Sequence, residues 1–344
     1  MKPQFVADLK PGGAVNTTFL VQAKDRRLTR TGSPYLDLVF RDSTGSVRAK
    51  LWDSDRFPVT FEVDDVVQVI GTAEDYQGNL QLSLTRIGKA KEAEVDLLDF
   101  LPRTRNDPEV MYAALVARVE AMASGPLRQL LLNILTDPAI APRYKLAPAA
   151  TVFHHAFLGG LIEHVTSLCG LADLVCPHYP FLDPSLVLAG LLLHDVGKIE
   201  ELTFTRGFRY STRGLLLGHI NIAVNLIETK TAEIEGFPPL LRDQLQHIVL
   251  SHHGKPEFGS PREPMFPEAF LVHILDNLDS KLESMRAQYE AEKNREGDWT
   301  TRNRALGVEL LRAGVSAAIE AAAGTPQPES AGAPASQAYG TQNS

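Results

Sequence analysis

The 344-residue chain has only two cysteines, no long hydrophobic run and no excess of positive charge. Cys169 and Cys176 are not in CxxC spacing and lie among apolar neighbours, which predicts two buried, reduced thiols. The most apolar run, Leu186–Leu193, is far shorter than the ~20 residues of a membrane span, and the amino terminus has no charged-then-apolar signal pattern. We therefore expect a soluble, cytoplasmic protein without a membrane partner.

Positive charge is in deficit, since 34 Lys and Arg against 42 Asp and Glu leave a formal net charge of −8. This excludes a chain that coats nucleic acid with bulk positive charge, so any such contact must come from a local patch or from metal ions. An apolar fraction of 44% and a charged fraction of 22% are typical of a globular protein. The length favours two domains.

Short alternating runs broken by turn residues extend from about Gly13 to Lys89. They predict five strands, at residues 14–22, 35–42, 45–53, 65–76 and 79–87, with tight turns at 42–45 and 77–79. The interval 53–65 separates the third and fourth strands, where an oligonucleotide-binding fold (OB-fold) has its interruption. The pattern therefore predicts a five-stranded OB-fold barrel.

After Ala90 the apolar spacing changes to three and four residues, which predicts helices continuing to about Ala323, preceded by a linker near 90–107. The expected fold is multidomain, an N-terminal five-stranded β-barrel followed by an all-α domain. The expected boundaries are 1–90 for the OB-fold, 91–150 for a helical linker and the start of the helical domain, 151–320 for that domain and 321–344 for a disordered tail. The tail is small, polar and proline-bearing.

All ten histidines fall between His154 and His273. Most lie on or beside strongly apolar helices and should project inward, where an imidazole or carboxylate needs a partner or a metal. In LVLAGLLLHDVGK an apolar helix ends in His194 and Asp195. Adjacent helical residues diverge by roughly 100°, so this pair can flank one ion while the carboxylate bridges to a second. Such donor sets suit Mn, Fe, Co, Ni or Zn rather than Ca.

The order His, His-Asp, His, His-His, Asp resembles the HD superfamily of metal-dependent phosphohydrolases. Its motifs here are GGLIEHV, LLHDVGK, LLLGHI, LSHHGKPEFGSP and HILDNLDSK. With the predicted barrel, most of residues 13–310 resemble the YhaM-type 3′-to-5′ exoribonucleases, which join an OB-fold to an HD domain.

The resemblance implies two divalent transition metals and names their ligands. His164, His194, Asp195 and Asp276 would hold one ion, and Asp195 would bridge to a second held by His219, His252 and His253. The family's customary activator is Mn²⁺. This chain has Arg213 where the family commonly carries an acidic residue, which makes Arg213 a candidate phosphate contact.

The remaining site candidates have competing interpretations. Asp195 and Lys198 are the candidate catalytic residues, because a cation beside metals can hold a phosphate; Lys255 is a further substrate contact. His154 and His155 either line the substrate channel or cap the next helix. We expect His178 in a surface loop and His247 in packing, and His273 either supports a metal ligand or simply packs.

OB-folds bind single strands by stacking bases on aromatic side chains over a basic groove. The candidate platforms are Tyr35, Phe40, Trp52 and Tyr76, and the candidate phosphate contacts are Lys24, Arg26, Arg27, Arg30, Arg48 and Lys50. The alternative is that Phe40 and Trp52 belong to the core and that the cations are merely solvated. The basic run KDRRLTR is expected to lie in the first loop, beside the binding face.

These features predict an enzyme that hydrolyses single-stranded RNA, and more weakly single-stranded DNA, to 5′-mononucleotides; the 3′-to-5′ direction comes from the resemblance. One alternative is an HD-type phosphodiesterase or phosphohydrolase of small nucleotides, which has no need of a strand-binding barrel. Another is a nucleic-acid-binding regulator with a structural metal site, which the complete ligand set disfavours. The sequence leaves a homo-oligomer open.

Overall fold

The computed structural model describes residues 2–57, 59–76, 78–91, 95–151, 155–204, 207–293, 295–312 and 314. Four sequence-based predictions lie outside these residues, namely the disordered tail at 321–344, the end of the predicted helical region at 315–323, the role of His154 and the position of Gln77 in a turn. The chain divides into two units, residues 1–277 and residues 278–344.

The barrel strands are β1 (Ala14–Leu28), β2 (Pro34–Asp42), β3 (Gly45–Leu51), β4 (Val66–Tyr76) and β5 (Asn79–Lys89). They close in the order β1-β2-β3-β5-β4, with β3 and β5 parallel and the other neighbours antiparallel. Buried and outward residues alternate along β2 and β3, as a strand with one face on a core requires. The predicted five-stranded OB-fold barrel is confirmed.

Two expectations about the barrel surface are wrong. Phe40 is fully buried and stacks on Phe19 with ring centroids 5.6 Å apart, so it belongs to the core and cannot be a platform. The run KDRRLTR is not a loop, because β1 continues to Leu28 and pairs with β2, with Arg27 opposite Tyr35. The end of β1 is exposed on both faces, so it lacks the alternation that identifies a strand in sequence.

The helices are α1 (Pro108–Glu120), α2 (Pro126–Leu135), α3 (Ala141–Leu146), α4 (Gly160–Val175), α5 (Pro184–Leu193), α6 (Lys198–Glu201), α7 (Thr212–Ala232), α8 (Pro239–Ser251) and α9 (Pro267–Ala291). Helix α5 begins where the Asp183 side chain accepts hydrogen bonds from the backbone of Ser185 and Leu186, as a capping residue does. From Leu186 to Leu193 it is apolar on all sides and packs into the main core of the helical part, which makes it the central helix of the bundle.

Two short hairpins interrupt the helical region, β6 (Leu202–Thr203) with β7 (Arg209–Tyr210), and β8 (Trp299–Arg302) with β9 (Glu309–Leu311). The prediction of helix as far as Ala323 is therefore wrong for residues 299–311, and 315–323 lie outside the described residues. Trp299 and the β-branched pair Thr300 and Thr301 favour a strand. In the turn, the Asn303 side chain accepts a hydrogen bond from the Leu306 amide.

The barrel and the helices share a small apolar core. Leu20 on β1 is buried with Phe100, Leu101 and Leu158, and Phe204 packs against this cluster. The segment near 90–107, predicted as a linker, thus contributes two fully buried side chains between barrel and helices. Among the described residues, no helix has the length and apolar character needed to cross a lipid bilayer.

Both cysteines are free and buried, as predicted. Burial raises the pKa of the Cys169 thiol to about 12 and also raises the pKa of Cys176. At neutral pH neither thiol is appreciably ionised, and we assign no chemistry to them.

Candidate metal centre

Five helices bring together all seven side chains that the sequence predicts as metal ligands. His164 lies on α4, His219 on α7 and Asp276 on α9. His194 and Asp195 follow the end of α5, and His252 and His253 follow the end of α8. The residues come from positions up to 112 apart in the sequence, so only the packing of the bundle makes them neighbours.

The first group comprises His164, His194 and Asp276, whose potential ligand atoms all lie within 4.8 Å of one another. The Asp276 carboxylate is 3.2 Å from His164 Nε2 and 3.9 Å from His194 Nε2. His194 Nε2 is also 3.4 Å from Oδ2 of Asp195. Asp195 therefore borders this group with one of its two carboxylate oxygens.

The second group comprises His219, His252 and His253, again with ligand atoms within 4.8 Å of one another. Asp195 borders it with its other oxygen, because Oδ1 lies 3.6 Å from His219 Nε2 and 3.7 Å from His252 Nε2. The Asp195 carboxylate stands between the two groups and turns one oxygen toward each.

The spacing of the donor atoms suits ligands of a metal ion better than it suits hydrogen-bonded pairs. His194 Nε2, His219 Nε2, His252 Nε2 and Asp195 Oδ1 are all buried and have no hydrogen-bond partner. Distances of 3.4–3.9 Å are too long for good hydrogen bonds. Atoms that share an ion at about 2.1 Å each stand about 3.0–4.2 Å apart. Four orphaned polar atoms in one place would otherwise be costly.

Backbone carbonyls orient the histidine rings. Nδ1 is 2.9 Å from the Leu191 carbonyl in His194, 2.7 Å from the Val249 carbonyl in His252 and 3.0 Å from the Phe258 carbonyl in His253. A carbonyl only accepts, so each Nδ1 must carry the proton and donate it. The lone pair then lies on Nε2, the nitrogen that faces the centre in His194 and His252.

Glu201 performs the same task for His219, and it was not among the residues predicted from the sequence. Its Oε1 accepts hydrogen bonds from the His219 backbone amide at 2.9 Å and from Nδ1 at 3.0 Å. The amide is available because α7 is broken at Gly218, whose φ of 69° and ψ of 156° are not helical. The motif LLLGHI contained this signal, because glycine inside a helix often marks a special backbone position.

Gly197 sets how closely the His194-Asp195 turn approaches α7. A Cβ added at Gly197 would lie 2.0 Å from the His219 carbonyl oxygen. Any larger residue would therefore push Asp195 and His219 apart. This explains why glycine follows the motif LLHDV.

The electrostatics of the centre favour bound cations. Burial alone would raise the pKa of Asp195, but Lys198 and His194 hold it well below its usual range. Burial and the neighbouring His253 lower the pKa of His252, and burial also lowers the pKa of His253. The carboxylates are therefore charged and these two imidazoles neutral at neutral pH, which is the protonation state of metal ligands.

The four predicted substrate contacts of the helical part differ in burial and in the groups that they contact. The Lys198 ammonium is 2.6 Å from Asp195 Oδ2, and this neighbour raises its pKa despite the opposing effect of burial. His155 is buried, with its ring 5.5 Å from the His164 ring. Lys255 is exposed two residues after His253. Arg213 is half-exposed and pairs with Glu200 at 2.9 Å.

The other histidines have structural surroundings. His178 is exposed in a short 3₁₀ turn, as expected. His247 accepts a hydrogen bond from the Met265 amide and contacts Phe266. His273 Nδ1 lies 2.7 Å from the His252 carbonyl, which can only accept, so His273 supports the peptide that carries a predicted ligand.

On the barrel, three aromatic rings surround one ammonium group. Tyr35 and Trp52 have ring centroids 4.9 Å apart, and Lys50 Nζ lies 5.3 Å from the centroids of both Trp52 and Tyr76. Trp52 is 43% exposed and Tyr76 54% exposed. Trp52 is therefore not a core residue, and these four residues form an aromatic patch.

The basic residues of β1 are less available than the sequence suggests. Lys24 is 3.0 Å from Glu62 and donates to the Phe61 carbonyl, Arg26 pairs with Asp55, and Arg27 pairs with Asp25 and Asp37. Arg30 is exposed in the turn after β1. Apart from Asp25, which lies on β1 beside Arg27, the acidic partners come from other segments of the barrel, so the sequence did not reveal those pairings.

Comparisons with known proteins find matches to both the helical part and the barrel. The profile of the HD domain matches residues 161–281, and the profile of an OB-fold nucleic acid binding domain matches residues 20–89. The fold and the site thus define an HD-domain protein with a nucleic-acid-binding barrel.

The 3′-5′ exoribonuclease YhaM of Bacillus licheniformis is 36% identical to this chain over 299 residues, which cover 86% of this chain and 93% of that protein. The chain belongs to the YhaM family of 3′-5′ exoribonucleases. The second OB-fold domain of replication protein A from Methanococcus maripaludis, solved by NMR, is 24% identical and covers 26% of this chain and 95% of that domain, with a TM-score of 0.22.

The Glu201 contact predicts a measurable effect on metal affinity. Glu201→Ala removes the oxygen that accepts both hydrogen bonds from His219, so the ring loses its fixed orientation and metal affinity should fall about 10–100-fold. Glu201→Gln keeps an acceptor oxygen and should lose less. Competition titration against a chelating indicator measures both.

Glu200→Ala is the matched control, since Glu200 lies on the same short helix but pairs with exposed Arg213. It should retain the affinity of the unmodified protein. Equal affinities for all four proteins would show that Glu201 does not orient a ligand.

Proposed function

We propose that this protein is a metal-dependent 3′-to-5′ exoribonuclease that uses two divalent ions, with Mn²⁺ as the physiological metal, to shorten single-stranded RNA to 5′-mononucleotides. Family membership supports the exoribonuclease activity. The observation that carries the two-metal site is the Asp195 carboxylate, which turns one oxygen toward each of two donor groups. Single-stranded DNA is proposed as a weaker substrate, and a reducing cytoplasm suits the free thiols.

The ligand assignment follows the geometry. His164, His194, Asp195 and Asp276 would hold one ion, and Asp195, His219, His252 and His253 the other. Bound there, the ions would supply Lewis acidity, acidifying a water and neutralising the scissile phosphate. Glu201 and the backbone carbonyls hold the imidazole rings in the required tautomer.

Lys198 is the cation best placed to assist the reaction. Its ammonium already contacts Asp195, so a phosphate that approaches the carboxylate also comes within reach of Lys198. The raised pKa keeps it charged at neutral pH. It can therefore stabilise charge that develops on the phosphate oxygens. Lys255, Arg213 and His155 are proposed as further contacts around the same phosphate path.

The aromatic patch on the barrel is proposed to capture the strand. Exposed aromatic rings stack on bases of any sequence, and the Lys50 ammonium among them can meet the backbone. The proposed domains are the OB-fold at 1–90, the linker and first helices at 91–150, and the HD domain at 151–320. In this arrangement the barrel binds the RNA strand and the helical domain cleaves it.

Loss of the shared carboxylate should remove both ions. We expect about two transition-metal ions per chain in the unmodified protein, and Asp195→Ala should lose most of both and at least about 10³-fold of the activity. Metal analysis of the purified proteins measures the content. His178→Ala, which alters an exposed histidine elsewhere, should change neither; full metal content in Asp195→Ala would show that the assignment is wrong.

The direction of digestion can be read from labelled ends. A 3′-labelled single-stranded RNA should release labelled mononucleotide at once, whereas the same RNA labelled at its 5′ end should give a descending ladder. In each cleavage, the bond between phosphorus and the 3′-oxygen of the preceding nucleotide breaks. The phosphate therefore stays on the 5′-oxygen of the nucleotide that is released. Internal fragments from a circular RNA would instead identify an endonuclease.

The aromatic patch should contribute to RNA affinity independently of the metals. Trp52→Ala should weaken binding of a single-stranded RNA by about 1–3 kcal/mol, because one stacking platform is lost. Fluorescence anisotropy measures the dissociation constant. Phe181→Ala removes an aromatic ring that is 70% exposed on the helical part and should leave RNA affinity unchanged; equal losses for both variants would exclude a specific platform.

A further inference from the structure

Arg41 is a partly buried cation that has no acidic partner among the residues that the structure describes. It lies near the end of β2 and points away from the barrel core, on the same face as Tyr35. Its Nε is enclosed and has no hydrogen-bond partner, and among the described residues no carboxylate lies within 4 Å of the guanidinium. Burial lowers the pKa of Arg41, and no neighbouring charge opposes that effect. A guanidinium withdrawn from water without a partner is unusual.

Arg41 opens into a cleft between the barrel and the helical part. The cleft has a volume of about 170 Å³, several times the ~30 Å³ that a water molecule occupies. Its polar and aromatic lining consists of Gln22, Arg41, Asp64, Thr151, Phe208 and Arg209. Asp64 is the acidic residue of this lining, and it pairs with Arg209. The charge of Arg41 is therefore not cancelled, and the cleft carries a net positive charge.

Short lengths of chain connect the cleft to both the aromatic patch and the metal centre. Tyr35 and Arg41 are six residues apart on one face of β2, which corresponds to about 20 Å. On the other side, Thr151 precedes His155 by four residues, so their Cα atoms are at most about 14 Å apart. The His155 ring is in turn 5.5 Å from that of His164. These distances bring the cleft within reach of a single RNA strand that contacts both the patch and the metal centre.

We propose that this cleft is a phosphate-binding site, in which Arg41 binds a backbone phosphate of the RNA strand several nucleotides upstream of the bond that is cut. The phosphate supplies the counter-charge that the guanidinium lacks, and a guanidinium binds phosphate through two parallel hydrogen bonds. The site would hold the strand at the junction of barrel and helices, so that RNA captured by the barrel is directed to the metal centre. The inference rests on RNA being the substrate.

The test measures RNA binding without hydrolysis. Full-length protein is titrated into a fluorescein-labelled 12-nucleotide RNA in EDTA, over a range of salt concentrations, with folding checked by circular dichroism. Arg41→Gln should bind about tenfold more weakly, and the slope of log K against log salt should fall by about 0.7, the value for one phosphate contact on a single strand. Arg41→Lys, which keeps the charge, should retain the slope.

Thermal unfolding separates this role from a structural one. Arg41→Gln removes an uncompensated buried charge, so its unfolding midpoint should not fall. Arg86→Gln is the matched control, because Arg86 is an exposed arginine on β5 outside the cleft; its RNA affinity and salt slope should equal those of the unmodified protein.

Three results would overturn the proposal. One is unchanged RNA affinity and salt slope in Arg41→Gln. Another is a lowered slope of log K against log salt in a folded Arg41→Lys. This second result is decisive if Arg41→Gln does not fold. The third is a combination of two observations: Arg41→Gln binds RNA as tightly as the unmodified protein, and inorganic phosphate raises the unfolding midpoint of the unmodified protein but not that of Arg41→Gln. This result would identify a site for free phosphate. Because binding is measured without cleavage, a lost affinity in Arg41→Gln would stand even if the protein proved not to be a nuclease.

Discussion

The helical part of this protein is organised around carboxylates buried among imidazoles. An ionised Asp195 in a nearly water-free position is strongly unfavourable unless several positive or polar groups surround it. Lys198, His194 and His219 surround it from different helices, and Glu201 and the backbone carbonyls orient the rings in turn. Bound cations would add further positive charge to compensate the buried carboxylates. The positions of α4, α5, α7, α8 and α9 must all satisfy this one requirement.

A second constraint is the packing of the barrel against the helices. The apolar cluster of Leu20, Phe100, Leu101 and Leu158 fastens the barrel to the helices beside the segment that leads to His155 and His164. A binding barrel on a free tether would present RNA in any direction, whereas a packed one presents it along a defined route. In the function that we propose, the aromatic patch, the Arg41 cleft and the metal centre would be successive points of contact for one strand. Each would use a different interaction, namely stacking, charge pairing and metal coordination.

The barrel shows which kinds of information a single sequence carries. Its five strands were predictable because each has one buried face, so apolar and polar residues alternate. The end of β1 at 24–28 was not, because neither face is buried there. Phe40 lies within β2 and Trp52 directly follows β3, yet Phe40 is core and Trp52 is 43% exposed. Their positions in the sequence did not settle which of the two aromatic rings would be buried. The hairpin at 299–311 was obscured by the helical pattern before it.

The sequence alone determined the class of this protein, because the order and local context of the histidines and aspartates carry the HD pattern and the strand alternation carries the barrel. It also contained the ligand candidates, since an imidazole or carboxylate beside an apolar helix must have a partner. Tertiary structure decided which groups meet. The contacts of Glu201 with His219, of Lys50 with Tyr35 and Tyr76 and of Arg26 with Asp55 join residues distant in sequence. The cleft around Arg41 is likewise lined by residues from distant segments. Such properties depend on distances that exist only after the chain has packed, and no local pattern encodes them.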